Sequence, residues 1–311
     1  MRQQRRLGHD QAEQLRLPSF DRPVFIVSAP RAGSTLLFET LAQFPTVWTI
    51  GQESHDIEHD VAELHPATYH YASNRLTAAE ATPAIYTAMQ HWFSQRLQNR
   101  AGLLYQSASA EEQPAAIRFL EKTPKNALRI PFLKAIFPDA RFIFLYREPP
   151  QNISSLLEGW RSRRFIAYRH MPGWPYTEWS FLLIPDWEAL IDRPLVEIAA
   201  RQWEVANTTI IHDLEMLDPA EWCFVHYNDL IQQPQQTVRQ IGQFAGWPSD
   251  DQIEQRLAQA LPITHLTLSA PSADKWRQHE AEITPILASL EPVISRVNDR
   301  GMSQSVNHKA F

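Results

Sequence analysis

One cysteine in 311 residues, Cys223, leaves nothing to build an intrachain disulfide framework from and fits a reducing compartment. Set in Trp222-Cys223-Phe224-Val225, it reads as a buried strand residue and not as a nucleophile. Basic residues are in deficit: 29 Lys and Arg stand against 35 Asp and Glu, a formal net charge of −6. A general nucleic-acid binder is thereby disfavoured, and any anion binding has to be local. No apolar run approaches the length needed to span a bilayer, and no apolar leader opens the chain, so the cytoplasm is the expected location and no integral membrane segment is expected. Sequons at Asn152 and Asn207 carry no glycosylation meaning in that setting. Internal repeats and low-complexity segments are also missing. So are three signatures of chemistry: the Walker A loop G-x-x-x-x-G-K-[ST], the nucleophile elbow G-x-S-x-G, and the zinc-binding H-E-x-x-H. A metal hydrolase built on His55, Glu58, His59 and Glu63 lacks ligand spacing of any known kind.

What the chain does have is 44% hydrophobic and 21% charged residues, ordinary for a globular protein long enough to bury a sizeable core. The organising stretch is Val24-Phe25-Ile26-Val27-Ser28-Ala29-Pro30-Arg31-Ala32-Gly33-Ser34-Thr35, an apolar run that turns through Pro and Gly and re-emerges with helical periodicity. A loop feeding a helix N-terminus presents unpaired N–H groups and the positive end of the helix dipole, which bind phosphate-like anions. Arg31 adds a charge, Ser34 and Thr35 add hydroxyls, and Gly33 lets backbone approach an oxyanion closely.

The pattern repeats along the chain. The spacing predicts a strand over 24–28 and a helix over 34–44, then a strand over 47–50, a helix over 83–100 and a strand ending at Lys122-Thr123-Pro124. A helix over 125–137, a strand over 141–146, a further helix from Pro149, a strand over 222–226 and a helix over 234–245 follow. Alternation of this kind predicts an α/β fold, a mainly parallel sheet between two layers of helices. Residues 1–20, with four arginines, read as a tail or short helix. Residues 160–194 hold Trp160, Trp174, Trp179 and Trp187, many prolines and a basic cluster at Arg161, Arg163 and Arg164. This insertion reads equally as a cap packed by its own aromatics or as an acceptor-binding lid.

Ligands of such sheets sit beyond the carboxyl ends of the strands. Four loops should bring together Arg31, Gly33, Ser34 and Thr35; Glu53 and His55; Lys122 and Thr123; and Arg147 with Ser155. An anion cradle, candidate bases and further cations ask for a substrate with several negative charges.

These residues resemble the sulfotransferases that use 3′-phosphoadenosine 5′-phosphosulfate (PAPS). Pro30-Arg31-Ala32-Gly33-Ser34-Thr35 is similar to the loop that holds the 5′-phosphosulfate, with Ala32 in place of a commoner Ser. Arg147 and Ser155, eight positions apart, match the pair that holds the 3′-phosphate. Gly51-Gln52-Glu53-Ser54 resembles the segment of the tyrosylprotein-sulfotransferase branch that supplies a carboxylate base, which implies that role for Glu53. Glu121-Lys122-Thr123-Pro124 resembles the segment whose Lys lies near the leaving oxygen, here Lys122. Tyr227-Asn228-Asp229-Leu230 resembles a stretch whose Tyr lies near the nucleotide, and Lys275-Trp276 a pair following the loop that closes over PAPS, with Ser269 as the candidate in that loop.

The resemblance implies a single domain over residues 1–311 with the three-layer α/β/α, P-loop-like sulfotransferase fold, in which 264–311 supplies a cofactor-closing loop and helix. It implies sulfuryl transfer from PAPS to an acceptor hydroxyl, release of 3′-phosphoadenosine 5′-phosphate (PAP), and no metal. In that mechanism burial raises the Glu53 carboxyl and makes it a better base, and His55 is the alternative base. A P-loop kinase and a non-catalytic nucleotide-binding relative are the competing readings; the acceptor and the oligomeric state stay open. On the residues alone, Glu53 could cap a helix, Lys122 could pair at the surface and Arg147 could be a structural strand-end cation.

Overall fold

Short apolar runs such as Val24–Val27 need cover on both faces, and all four of those residues are buried in the computed structural model of the chain, which describes residues 17–270 and 272–306. Residues 1–16, most of the expected N-terminal tail, lie outside the described residues, as do 307–311 at the end of the expected closing segment. The strands are β1 (Ser19–Phe20), β2 (Val24–Val27), β3 (Val47–Thr49), β4 (Gln98–Asn99), β5 (Ala116–Lys122), β6 (Arg141–Tyr146), β7 (Ile166–Arg169), β8 (Glu178–Ser180) and β9 (Trp222–His226). The helices are α1 (Ser34–Leu41), α2 (Ile57–Asp60), α3 (Pro83–Ser94), α4 (Ile130–Ile136), α5 (Pro149–Ser162), α6 (Leu195–Leu214), α7 (Tyr227–Gln232), α8 (Pro234–Ala245), α9 (Asp251–Leu257) and α10 (Glu280–Met302).

The main sheet runs β4-β3-β5-β2-β6-β9, with β1 alongside the start of β5. Every pairing is parallel except β3 with β4. Because side chains alternate across a strand, β2 splits its residues between two cores. Phe25 and Val27 join Phe119, Phe142 and Phe144 beneath residues of α3, α4, α5, α6 and α10. Val24 and Ile26 join Ile143, Leu145, Cys223 and Val225 beneath α1, α8 and α9. The result is the expected three-layer α/β architecture with a central, mainly parallel sheet. After α10 the chain returns to β9, where Phe224 N–H donates to Gln304 O at 2.9 Å and Val306 N–H to Phe224 O at 3.1 Å.

Three elements differ from the sequence expectation. The helix expected over 125–137 breaks into a 3₁₀ turn, Pro124–Leu128, and α4, with Arg129 at φ −130° between them. Pro131 has no N–H to continue the ladder and restrains the residue before it. The helix expected to reach residue 100 ends at Ser94, because Gln98 and Asn99 pair with Thr49 and Trp48 at the sheet edge. Between α5 and α6 lies a separate β7–β8 hairpin.

In the 160–194 insertion the tryptophans pack on one another, with ring centroids 5.4 Å apart for Trp160–Trp179, 4.9 Å for Trp174–Trp179 and 6.0 Å for Trp174–Trp187. None of the four reaches the large cavity described below; Phe165, Ile166, Phe181 and Leu182 line it instead. Of the two readings of this insertion, the four tryptophans fit packing by its own aromatics and not the wall of a lid. Trp174, Trp179 and Trp187 are buried in the same core as Phe25 and Phe144, with Trp160 half-buried against it, and rings of that size contribute strongly to a core. In the basic cluster, Arg161 pairs with Glu282 and Arg163 with Glu178. Arg164 lines the cavity and has no carboxylate partner among the described residues.

Candidate active site

The loop between β2 and α1 is shaped by two left-handed residues, Arg31 at φ +67° and Gly33 at φ +101°. Gly33 is the N-cap of α1, which has no side-chain cap and no acidic residue in its first turn. Its first N–H groups are therefore unmet within the helix and point into the loop. Buried Asn152 of α5 donates to Pro30 O at 2.8 Å and holds the loop's outer turn. A Cβ on Gly33 would lie 2.4 Å from Cε2 of Tyr227, whose ring covers the loop. Gly33→Ala is expected to keep the fold and to weaken binding of 3′,5′-adenosine bisphosphate at least tenfold in calorimetry, about 1.4 kcal/mol. Unchanged affinity would show that this backbone is not an anion cradle.

Arg147 directly follows β6, and its carbonyl accepts from Trp203 Nε1 of α6 at 3.1 Å. Its Nη1 donates to Arg31 O at 3.1 Å, its guanidinium lies 4.5 Å from the Tyr227 ring centroid, and its Nε is buried with no partner. Arg31 donates from Nε to Ser155 Oγ at 3.3 Å and from Nη1 to Leu266 O at 3.1 Å, with its guanidinium 4.5 Å from the Phe165 ring centroid. Burial, and then the charge of Arg147, lowers the Arg31 pKa to about 10; burial also lowers that of Arg147. Neither cation has a carboxylate in ion-pair contact among the described residues. Two adjacent, half-buried arginines, one of them with a buried donor that lacks a partner, are a site for a multiply charged anion.

At the carboxyl end of β5, Lys122 is 3% exposed, and its ammonium donates to Thr35 Oγ1 at 3.0 Å and pairs with Glu53 Oε1. The other Glu53 oxygen, Oε2, lies 2.7 Å from His55 Nε2. Burial pushes the Glu53 carboxyl up, but the His55 hydrogen bond and the Lys122 charge outweigh it and hold the pKa at about 2. This reverses the sequence expectation of a raised value, which took account of burial and not of these two partners.

Behind this group stands a network of which the sequence placed only Thr123 at the site. Glu121, 1% exposed, accepts at Oε1 from Ser54 Oγ at 2.8 Å and from Thr123 Oγ1, and at Oε2 from Asn126. Ser54 N–H donates to Thr123 Oγ1 at 2.8 Å. These bonds tie the Glu53 loop to the end of β5 and so fix Glu53 against Lys122. Burial raises the Glu121 pKa. The available signal was period two: Glu121 shares the core-facing side of β5 with Ile117 and Phe119, and a carboxylate there requires partners. Glu58 was weighed only as a metal ligand; it is instead buried against Lys125 and Arg129.

The C-terminal residues form another part of the wall. Lys275 Nζ and Ser269 Oγ donate to Glu158 Oε2 of α5, at 2.6 and 3.2 Å, and Gln278 donates to its Oε1. Ser269 thus bonds Glu158 and not the Glu53, Lys122 and Thr35 group. Burial pushes Glu158 up, yet Lys275, Gln278 and Ser269 together hold it below the usual carboxylate range.

One cavity of about 1000 Å³ joins these parts. Arg31, Gly33, Ser34, Thr35, Arg147 and Ser155 line it, as do Glu53 and His55, and Tyr227, Ser269 and Lys275. Ala32 is fully buried, and Lys122 reaches the cavity group through its bonds to Thr35 and Glu53. The volume is that of a large small-molecule site. Among the described residues no cluster of three or more His, Cys, Asp or Glu side chains could hold a metal ion, and no helix is long and apolar enough to cross a membrane.

Comparison with known proteins gives the family. An uncharacterized protein of Aquifex aeolicus (strain VF5) is 21% identical over 286 residues, 89% of this chain but 33% of its own length. The chain therefore spans about a third of the curated relative it matches. Among solved structures, sulfotransferase STF9 from Mycobacterium avium superposes with a TM-score of 0.48 and 19% identity, covering 90% of this chain and 76% of that one. Mouse sulfotransferase SULT7A1 complexed with PAP gives a TM-score of 0.49 and 15% identity over 96% of this chain and 94% of that one. The profile of the sulfotransferase family matches residues 23–251, a span that takes in the anion loop, Glu53, Lys122, Arg147 and Tyr227, and the chain belongs to that family.

Proposed function

We propose that the protein transfers a sulfuryl group from PAPS to a hydroxyl of an acceptor, a small molecule, by in-line displacement with Glu53 as general base. The observation that carries this reading is Lys122, one buried ammonium shared between Thr35 of the anion loop and Glu53. That position joins the site of an anionic leaving group to the site of a base. PAPS, when bound, supplies an activated sulfuryl on a phosphate leaving group.

The N–H groups at the start of α1, with Arg31, Ser34 and Thr35, would hold the phosphosulfate, Ala32 contributing backbone alone. Arg147, whose Nε lacks a partner, would hold the 3′-phosphate with Ser155, and Tyr227 would flank the nucleotide. Lys275 and Ser269 belong to the segment that closes this end. Glu53 would take the acceptor proton, with His55 orienting the carboxylate through its second oxygen. Lys122 and Arg31 stabilise charge growing on the leaving and non-bridging oxygens. As Lys122 turns to that task Glu53 loses its strongest cationic neighbour, and burial then raises its basicity at the point where a base is needed. A kinase-like reading would need a Walker lysine following the loop glycine, and Ser34 stands there.

Calorimetric titration tests the reading. 3′,5′-Adenosine bisphosphate is expected to bind, AMP and ATP with Mg²⁺ to bind far more weakly. Arg147→Ala should lower bisphosphate affinity by about 10- to 100-fold, the worth of a charge-assisted contact. Binding of ATP with Mg²⁺ as tight as that of the bisphosphate, or of neither, would sink it.

A further inference from the structure

Sulfuryl transfer leaves the acceptor open, and a second charged group in the cavity wall bears on it. Glu58 of α2 is buried with both oxygens taken, Oε1 by Arg129 Nη2 at 2.8 Å and Oε2 by the ammonium of Lys125. Arg129 is otherwise satisfied by the carbonyls of Asn74 at 3.0 Å and Leu64 at 3.2 Å, and does not line the cavity. Lys125 does line it, with its ammonium 5.1 Å from the Tyr168 ring centroid. Two buried cations share one carboxylate, so the cluster carries an excess positive charge, and of the two cations Lys125 is the one that lines the cavity, beside Glu58. Glu53, engaged by Lys122 and His55, makes no ion pair with Lys125 and reaches it only through space. A desolvated excess cation is costly unless a counter-charge reaches it.

Lys125 follows Lys122 by three residues, so their Cα atoms are at most about 11 Å apart. The same cavity is lined by Phe165, Ile166, Phe181 and Leu182, with Phe165 and Phe181 stacked at 5.1 Å and 21°. Gly159 of α5 leaves room for that stack, since a Cβ there would meet Phe181 at 2.3 Å.

Building on the sulfuryl-transfer reading, we infer that the acceptor is a hydroxy acid: an apolar or ring body against Phe165 and Phe181, with an oxyanion paired to Lys125. Lys125 is a specificity residue in this scheme and takes no part in the chemistry. Replacing it by Met removes the excess charge and leaves Glu58 paired with Arg129, so the variant's buried charges balance.

The test is direct binding, by calorimetry, of three matched probes to the full chain with and without 3′,5′-adenosine bisphosphate: 4-hydroxyphenylacetate, its uncharged amide, and 4-hydroxybenzylphosphonate. At least one acid is expected to bind about tenfold or more tighter than the amide, about 1.4 kcal/mol, and the tighter of the two acids names the oxyanion. Lys125→Met should abolish the preference while bisphosphate affinity, and with it the fold, is retained. Equal binding of acids and amide overturns the inference. A preference that survives Lys125→Met overturns it too, whether or not Arg164→Gln, at the exposed cation of the same cavity, removes it. Failure of the bisphosphate to bind overturns sulfuryl transfer instead, and the acid-to-amide comparison on the bisphosphate-free protein is still read.

Discussion

Glu53→Gln is expected to lower kcat by about 10²- to 10⁴-fold, the usual worth of a general base, without weakening 3′,5′-adenosine bisphosphate. The substitution is nearly isosteric, and it removes the charge that now neutralises Lys122. The freed ammonium stays beside Thr35 and the anion loop, so affinity for the bisphosphate should hold or improve while turnover collapses. That split separates a base from a binding residue, for which affinity and turnover would fall together. The pH dependence has a definite sign. The active form of a base is the deprotonated one, and a carboxyl held at about 2 is ionised at every pH where the fold is tested. The kcat/KM profile of the native protein should therefore be flat from pH 8 down to about 5, with no acid limb from Glu53. A steady-state series over that range, beside the variant's kcat, checks both statements. A loss in kcat smaller than tenfold would remove Glu53 from the role.

The architecture was legible because its strands are short apolar runs that end at turn residues. β2, β6, β9 and α8 fall where the sequence puts them, and Gly246 closes α8 in the left-handed conformation that glycine favours. Elements whose cause lies elsewhere in the chain were not legible. Gln98 and Asn99 are polar, and they form a strand only because β3 presents an edge to them. The β7–β8 hairpin is likewise three and four residues of mixed polarity. At the site, the positions of Arg31, Gly33, Lys122 and Arg147 follow from strand ends and could be read. Their partners could not: Ser54 meets Glu121 across 67 positions, Lys125 meets Glu58 across the same number, and Ser269 meets Glu158 across 111. Carboxylates in this chain serve largely as counter-charges for particular cations, and periodicity holds no information about which cation. The Glu53 pKa was misjudged for that reason. Burial is a property of the segment, whereas the hydrogen bond from His55 and the charge of Lys122 are properties of the fold.

Lys122→Met should show that Glu53 and Lys122 act as one device. Loss of a donor to the leaving oxygen is expected to lower kcat by about 10²- to 10³-fold. The same change takes away the Lys122 charge that, with the His55 hydrogen bond, holds Glu53 ionised, leaving burial opposed by His55 and by the more distant Arg31 and Lys125. The carboxyl pKa must then rise, and because the deprotonated form is the active one, the residual rate should fall as pH is lowered through the new value. An acid limb absent from the native profile thus appears in the variant. The double variant Glu53→Gln, Lys122→Met should be little worse than either single one, since removing one member already disables what the other serves. Independent roles would instead multiply the two losses and leave the pH profile of Lys122→Met as flat as that of the native protein. Rates of the four proteins at three pH values decide between these outcomes. The comparison needs no assumption about the natural acceptor, because any hydroxylated acceptor that turns over reports the same two residues.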